Sequence, residues 1–361
     1  MKRSFTKVLS MLRQASLFAL VKCLLLTLLF ASTLAVNVQA QAQSQMQAQQ
    51  SISDLPIIRV GVLQFGTINW EMDTIIHHEL DTQRGFRLAV YPFASKNASA
   101  VALQSGSVDV IMTDLFWVSR QRGQNKPYVI MPTTKASGGV YTNAQESFTQ
   151  LLQQTDRSIG VAGGSVDKNW LLLQAYAKQQ KLDLLSHFTP KFGAPPLLNR
   201  FMLNNELDAS INFWHYNARL NAAGFSLSLP VTTMLTSLGI QADVPLLGWV
   251  FDEQWGNKNK NLVTDFFNAS FAAKKLLQTS PQEWQRIRSL TKAENEQVFT
   301  ALQTNYPDTL LTQFTSEEIN ATQQLFTVFV DVGGQELMGS TTFFNADIYW
   351  SDALQVWQSQ Q

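Results

Sequence analysis

The sequence predicts an α/β protein built from two similar lobes, and three observations lead there. From residue 57 onward short apolar runs alternate with stretches of helical periodicity, the pattern of βαβ units and a largely parallel sheet. Two cassettes of residues recur about a hundred positions apart. The chain has 361 residues, 45% of them apolar and 15% charged, enough to fill two cores of ordinary domain size.

The first forty residues hold Lys2, Arg3, Lys7, Arg13 and Lys22 and no acidic residue, then an apolar run from Cys23 to Val36, then Val38, Gln39 and Ala40. A basic stretch, an apolar core and a small-residue site make a secretory signal peptide over residues 1–40, cut after Ala40, and place the mature protein in the periplasm. The 14-residue run falls short of the roughly 20 residues that span a bilayer, and an uncleaved anchor stays open if the run is counted back past Lys22. Cys23 is the only cysteine, so the exported chain has no disulfide, no thiolate nucleophile and no cysteine metal site. From residue 41 on, 22 basic residues stand against 27 acidic ones, the wrong sign for a nucleic-acid partner. Residues 41–53 are glutamine-rich and uncharged, and read as a disordered leader.

Strands are expected at 57–62, 87–91, 108–112, 158–161 and 209–213, with helices at 70–80, 98–103, 168–180 and 196–203 between them. The first cassette runs from Val60 to Trp70 and again from Ile159 to Trp170: a strand, a glycine-bearing loop and a helix with an early tryptophan. The second runs from Ala102 to Val110 and again from Met202 to Ala209: a helix end, a polar turn and a strand entered at Asp109 or Asp208. Matching lobes of this kind set the carboxyl ends of their strands across a cleft, which is where open α/β sheets bind ligands. The last third opens with a strand at 246–251 and continues as helices near 262–277, 281–287, 294–302 and 316–330, returning the chain to the first lobe to cover its sheet.

These segments resemble the periplasmic solute-binding proteins of ABC importers, in the nitrate, sulfonate and taurine group with its thiamine-precursor relatives. The resemblance rests on Ile58 to Val62, Ala102 to Val110, Ser158 to Ser165, Leu207 to Phe213 and the pair Ala223-Gly224, and covers roughly residues 54–290. It implies a type II periplasmic-binding-protein fold, with mixed, mostly parallel sheets, helices on both faces and a ligand trapped between lobes. Lobe 1 would take residues 54–138 and 243–361, and lobe 2 residues 139–242, with crossovers near 132–141 and 242–249. The implied partners are a small-molecule solute and a membrane permease, with the chain itself a monomer.

Four loops and one crossover carry the candidate ligand contacts. They are Gln64, Phe65, Thr67 and Trp70; Asp114, Phe116 and Trp117; Gly163, Gly164, Ser165 and Trp170; Phe213 and Trp214; and Trp249 on the return. The paired tryptophans suggest an aromatic-lined cleft, although any one tryptophan more often packs a core. The Gly163–Ser165 loop either offers backbone N–H groups to acceptor oxygens or simply turns and caps the next helix. Asp114 among aromatics suits a cation or a heteroaromatic amine. Glu71, Asp73 and Asp167 at helix starts either repel an anion or face solvent as dipole partners, and Arg120, Lys135 and Lys168 are on hand to neutralise one.

Catalysis lacks its usual groups. The four histidines, His77, His78, His187 and His215, form no H-E-x-x-H, no G-x-S-x-G elbow occurs, and neither phosphate-loop pattern is present, so no metal and no cofactor is expected. The importer component is the leading reading. The alternatives are a periplasmic sensor reporting to a membrane receptor and, behind it, an enzyme on the same fold.

Overall fold

Both copies of the second cassette end on an aspartate for one structural reason. Strand β1 (Ile57–Leu63) begins beside Asp109, whose carboxylate accepts Arg59 N–H at 2.8 Å and pairs with the Arg59 guanidinium. Strand β6 (Arg157–Ala162) begins beside Asp208, which accepts Ser158 N–H at 2.7 Å and pairs with Arg157. Each carboxylate thus ties a strand start to the turn that enters its neighbour, β3 (Val110–Asp114) or β8 (Ala209–Ile211). The computed structural model describes residues 53–143 and 145–360; the signal peptide, its site after Ala40 and all of the leader except Ser53 lie outside the described residues.

The remaining strands are β2 (Arg87–Phe93), β4 (Tyr128–Lys135), β5 (Gly139–Asn143), β7 (Phe188–Gly193), β9 (Phe225–Pro230) and β10 (Pro245–Asp252). Two five-stranded sheets result, in the orders β2-β1-β3-β10-β4 and β7-β6-β8-β5-β9. The first three strands of each order run parallel, and the fourth runs against both of its neighbours. That fourth strand is the one a crossover has just delivered. The crossovers are residues 136–138, from β4 to β5, and residues 238–244, leading to β10; the second starts earlier than the resemblance implies because β10 already begins at Pro245. They are tied to each other by Ala136 N–H on Val244 O at 2.9 Å and by the Lys135–Asp243 ion pair at 3.0 Å.

Pro92, Pro132, Pro190 and Pro230 fall one each in β2, β4, β7 and β9, the outermost strands of the two sheets. A residue without an N–H is tolerated at an edge or at a strand's first position, as Pro245 is in the inner strand β10, and not within an inner ladder.

Helices α1 (Ile68–His77), α2 (Lys96–Gln104) and α3 (Leu115–Gly123) belong to the first sheet. Helices α4 (Phe148–Leu151), α5 (Lys168–Gln179), α6 (Leu184–His187), α7 (Pro195–Leu203), α8 (Trp214–Ala222) and α9 (Val231–Ser237) lie in the chain of the second. After β10 come α10 (Glu253–Lys258), α11 (Lys260–Thr279), α12 (Pro281–Thr291), α13 (Glu296–Asn305), α14 (Ser316–Met338) and α15 (Ala353–Gln358). Strand β8 stops two residues short of its expected end because Asn212 Oδ1 accepts Phe213 N–H at 2.8 Å and turns the chain into α8. Below, lobe 1 means the first sheet with its helices and lobe 2 the second.

The core of lobe 1 buries Phe86, Phe251, Phe266 and Phe267, and Trp284, Trp350 and Trp357 are buried in the C-terminal third. Glu71 is neither at the ligand nor in solvent. It lies buried on α1, pairs with Lys274 of α11 and accepts Ser270 Oγ at 2.5 Å, so its charge is matched where burial would otherwise be costly. Asp73 pairs with Arg286 at 2.6 Å.

Candidate functional site

The carboxyl ends of β3 and β6 meet across the lobes. Asp114 closes β3 and caps α3, its Oδ1 accepting Trp117 N–H at 3.0 Å. Its Oδ2 accepts Lys168 Nζ at 3.0 Å, from the first residue of α5 in lobe 2. Burial alone would raise the Asp114 pKa. The Lys168 and Lys96 charges and the hydrogen bonds from Lys168 and Trp117 outweigh it and hold the carboxyl at about 2, so Asp114 stays ionised.

Lys96 is the first residue of α2 in lobe 1, and its Nζ stands 5.9 Å from the ring centre of Phe213 in lobe 2. Asp167 caps α5 by accepting Asn169 and Trp170 N–H, and burial raises its pKa against the pull of those bonds and of both lysines. Asn169 Nδ2 donates to Ser137 O at 2.9 Å, in the first crossover, and the buried Asn217 donates to Asn212 O at 2.9 Å. Two ammonium groups, two carboxylates and two amides therefore gather where lobes and crossover meet. Such a set of donors and acceptors is chemically able to pair with polar groups of either sign. Among the described residues no group of three or more His, Cys, Asp or Glu is placed to hold a metal ion.

The other candidate residues have different surroundings. Trp249 is fully buried in lobe 1, donating to Ser270 Oγ at 3.0 Å with its ring 5.1 Å from Phe266; Phe116 is buried against Phe326 and Phe329. Both are core residues and not cleft walls. Trp170 is buried beside Phe192, and Trp117 packs on Tyr128 at 5.3 Å. Trp70 and Trp214 do come together, edge to face at 5.8 Å, but as members of a packed cluster with Trp284 and Tyr306. Trp70 and Trp170 thus pack instead of lining a cleft, since an indole hides a large apolar area once its N–H finds an acceptor, here Leu290 O for Trp70, whereas Trp117 and Trp214 stay partly exposed. Gly163 and Gly164 turn the chain at positive φ, while Ser165 neither caps α5 nor stands free: it donates to Glu336 at 2.9 Å. Gln64 N–H bonds Phe93 O, Thr67 starts α1 without a side-chain cap, and Phe65 is 82% exposed.

Lys96, Asn169 and Asn217 were not among the candidates, and Lys168 was weighed only as a charge on hand to neutralise an anion. One signal for two of them was in the sequence: a lysine in the first turn of a helix opposes the dipole and needs a partner elsewhere.

No family model and no curated protein sequence matches this chain. Solved structures do. The periplasmic aliphatic sulphonate binding protein SsuA of Escherichia coli is similar with a TM-score of 0.64 at 16% identity, over 83% of this chain and 99% of that one. The ligand binding component of an ABC-type import system of Staphylococcus aureus, with zinc bound, gives 0.60 at 13%, over 83% and 98%. The periplasmic nitrate-binding protein NrtA of Synechocystis PCC 6803 gives 0.55 at 12%, over 84% and 89%. At such identities the likeness is one of fold. The chain therefore has the two-lobed α/β fold of the type II periplasmic binding proteins, with mixed sheets and flanking helices, as the sequence led us to expect.

Proposed function

We propose that the chain is the exported, solute-capturing component of an ABC importer, binding a small organic solute between its lobes and presenting it to a membrane permease. The observation that carries this reading is the Asp114–Lys168 pair, formed across the lobes at the carboxyl ends of β3 and β6. Flexing at residues 136–138 and 238–244 opens and closes that pair together with the site. An acceptor group on the solute takes Lys168 and Lys96, and a donor takes the ionised Asp114. Each buried charge then keeps a partner. The likeness in fold to sulphonate and nitrate binding proteins supports transport over catalysis.

The test is a thermal-shift screen of residues 41–361 against sulfonates, nitrate, amino acids, aromatic amines and pyrimidines. A solute that binds only the native state raises the melting temperature by mass action. For the solute found, Asp114→Asn and Lys168→Met each weaken binding at least about tenfold by calorimetry, the scale of a buried charged contact. Unchanged affinity in both variants would place the site elsewhere.

A further inference from the structure

We infer that the chain supplies its own closure: two separate belts of contact between α-helices hold the lobes together whether or not a solute is bound. In the first belt α8 of lobe 2 lies on α13 of the C-terminal third. Ala218 is 1% exposed there, and Trp214 and Ala222 join Trp70, Leu277, Trp284, Phe299 and Leu302 in one apolar cluster. Arg219 donates to Thr291 O at 3.0 Å and Lys292 O at 3.3 Å and pairs with Glu294 at 3.1 Å. These carbonyls are orphans at the end of α12, and a guanidinium is the right group to satisfy them.

The second belt is α14. It is fixed to lobe 1 by Phe326 and Phe329 against Phe116 and by Tyr349 donating to Thr322 at 2.9 Å. It then reaches lobe 2. Asp331 pairs with Lys178 at 2.6 Å, and Leu171 of α5 lies against Gly333. At Gly334 the backbone leaves the helix, with φ 53 and ψ −158, a conformation that only glycine adopts without strain. Past that break Glu336 accepts Ser165 Oγ in lobe 2, while Leu337 O accepts Arg120 of lobe 1 at 2.5 Å.

A trap that opens and shuts freely has facing surfaces that tolerate water. Here opening would bare Trp70, Trp214 and Ala218, an apolar surface that water disfavours. The exposed ion pairs of α14 add orientation more than strength.

Residues 41–361 hold no cysteine, so paired labels can be placed at will. Val101→Cys on α2 and Leu185→Cys on α6, at positions 62% and 63% exposed, carry spin labels, and pulsed EPR reads their separation. The protein is stripped of carried solute by denaturation and refolding. The expected result is one narrow population at the separation seen in this structure. Trp214→Ala with Arg219→Gln lengthens and broadens it, raising the open fraction at least about tenfold, and Asp331→Asn with Glu336→Gln broadens it by a smaller amount. A second label pair within lobe 1, Val101→Cys with Lys126→Cys, stays unchanged and shows that the variants are folded. A long, broad distribution in the stripped wild type overturns the inference, and so does a narrow one that neither set of variants moves. The experiment contains no solute, so its failure leaves the importer reading standing, and an empty solute screen leaves the belts standing.

Discussion

His215, on the first turn of α8, has its ring 4.5 Å from Tyr216 and its Nδ1 buried without a hydrogen-bond partner. Burial, helped by the Arg219 charge, lowers its pKa from 6.5 to about 3. The unfolded chain therefore binds a proton that the folded one refuses. Its contribution is complete above the unfolded pKa near 6.5 and erodes by about 1.4 kcal/mol for each pH unit below it, down to the folded value. Urea melts at pH 7.5 and 5.0 should show wild type losing about 2 kcal/mol more than His215→Gln over that interval. Asp114 behaves differently. Its lowered pKa puts its loss between about pH 4 and 2, so the pair with Lys168 survives where His215 is already under strain. Asp167, with its raised pKa, runs the other way. At this scale Asp114 and Phe213 were legible because strand ends in α/β sheets are marked places. Lys168 was harder, because its partner lies 54 positions away and only the fold joins them.

At the scale of the element, Gly139 opens β5 straight out of the first crossover with φ 146, and a Cβ there would stand 2.1 Å from Leu229 O. Both strain and backbone collision oppose a side chain. Gly139→Ala is expected to cost at least about 3 kcal/mol in urea melts. Gly85→Ala, where φ is 76 and nothing lies within 4 Å, meets only the strain and is expected to cost about 1 kcal/mol. The strands that the sequence displayed, β1, β2, β3, β6, β8 and β10, are apolar runs bounded by turn residues. Those it hid are explained residue by residue. Pro132 in β4 and Pro190 in β7 read as strand breakers, Ser226 and Ser228 dilute β9, and β5 has five residues that start at a glycine. Helices α3 and α8 escaped because each starts at a strand end, turned there by Asp114 and Asn212.

For the whole molecule, the repeated cassettes were sufficient to foresee two sheets of one topology. They could not foresee the C-terminal third, which has no counterpart in the repeat. Expected only to cover the first sheet, it also clasps lobe 2 through α13 and α14. It closes one open margin as well, Leu310 and Tyr349 bridging to Thr134 and Ile130 of β4. Among the described residues no such bridge reaches the margins of β2, β7 and β9, each of which carries one of the prolines noted above. An unpaired strand edge is an invitation to a second molecule, and a ring without an N–H removes a donor from that row. Pro190→Thr should therefore leave the melting temperature within about 2 °C yet drive concentration-dependent association in sedimentation velocity, where wild type stays a single slow species. Among the described residues four imino rings, one for each sheet margin, stand where ten strands would otherwise offer the start of a longer sheet shared between molecules.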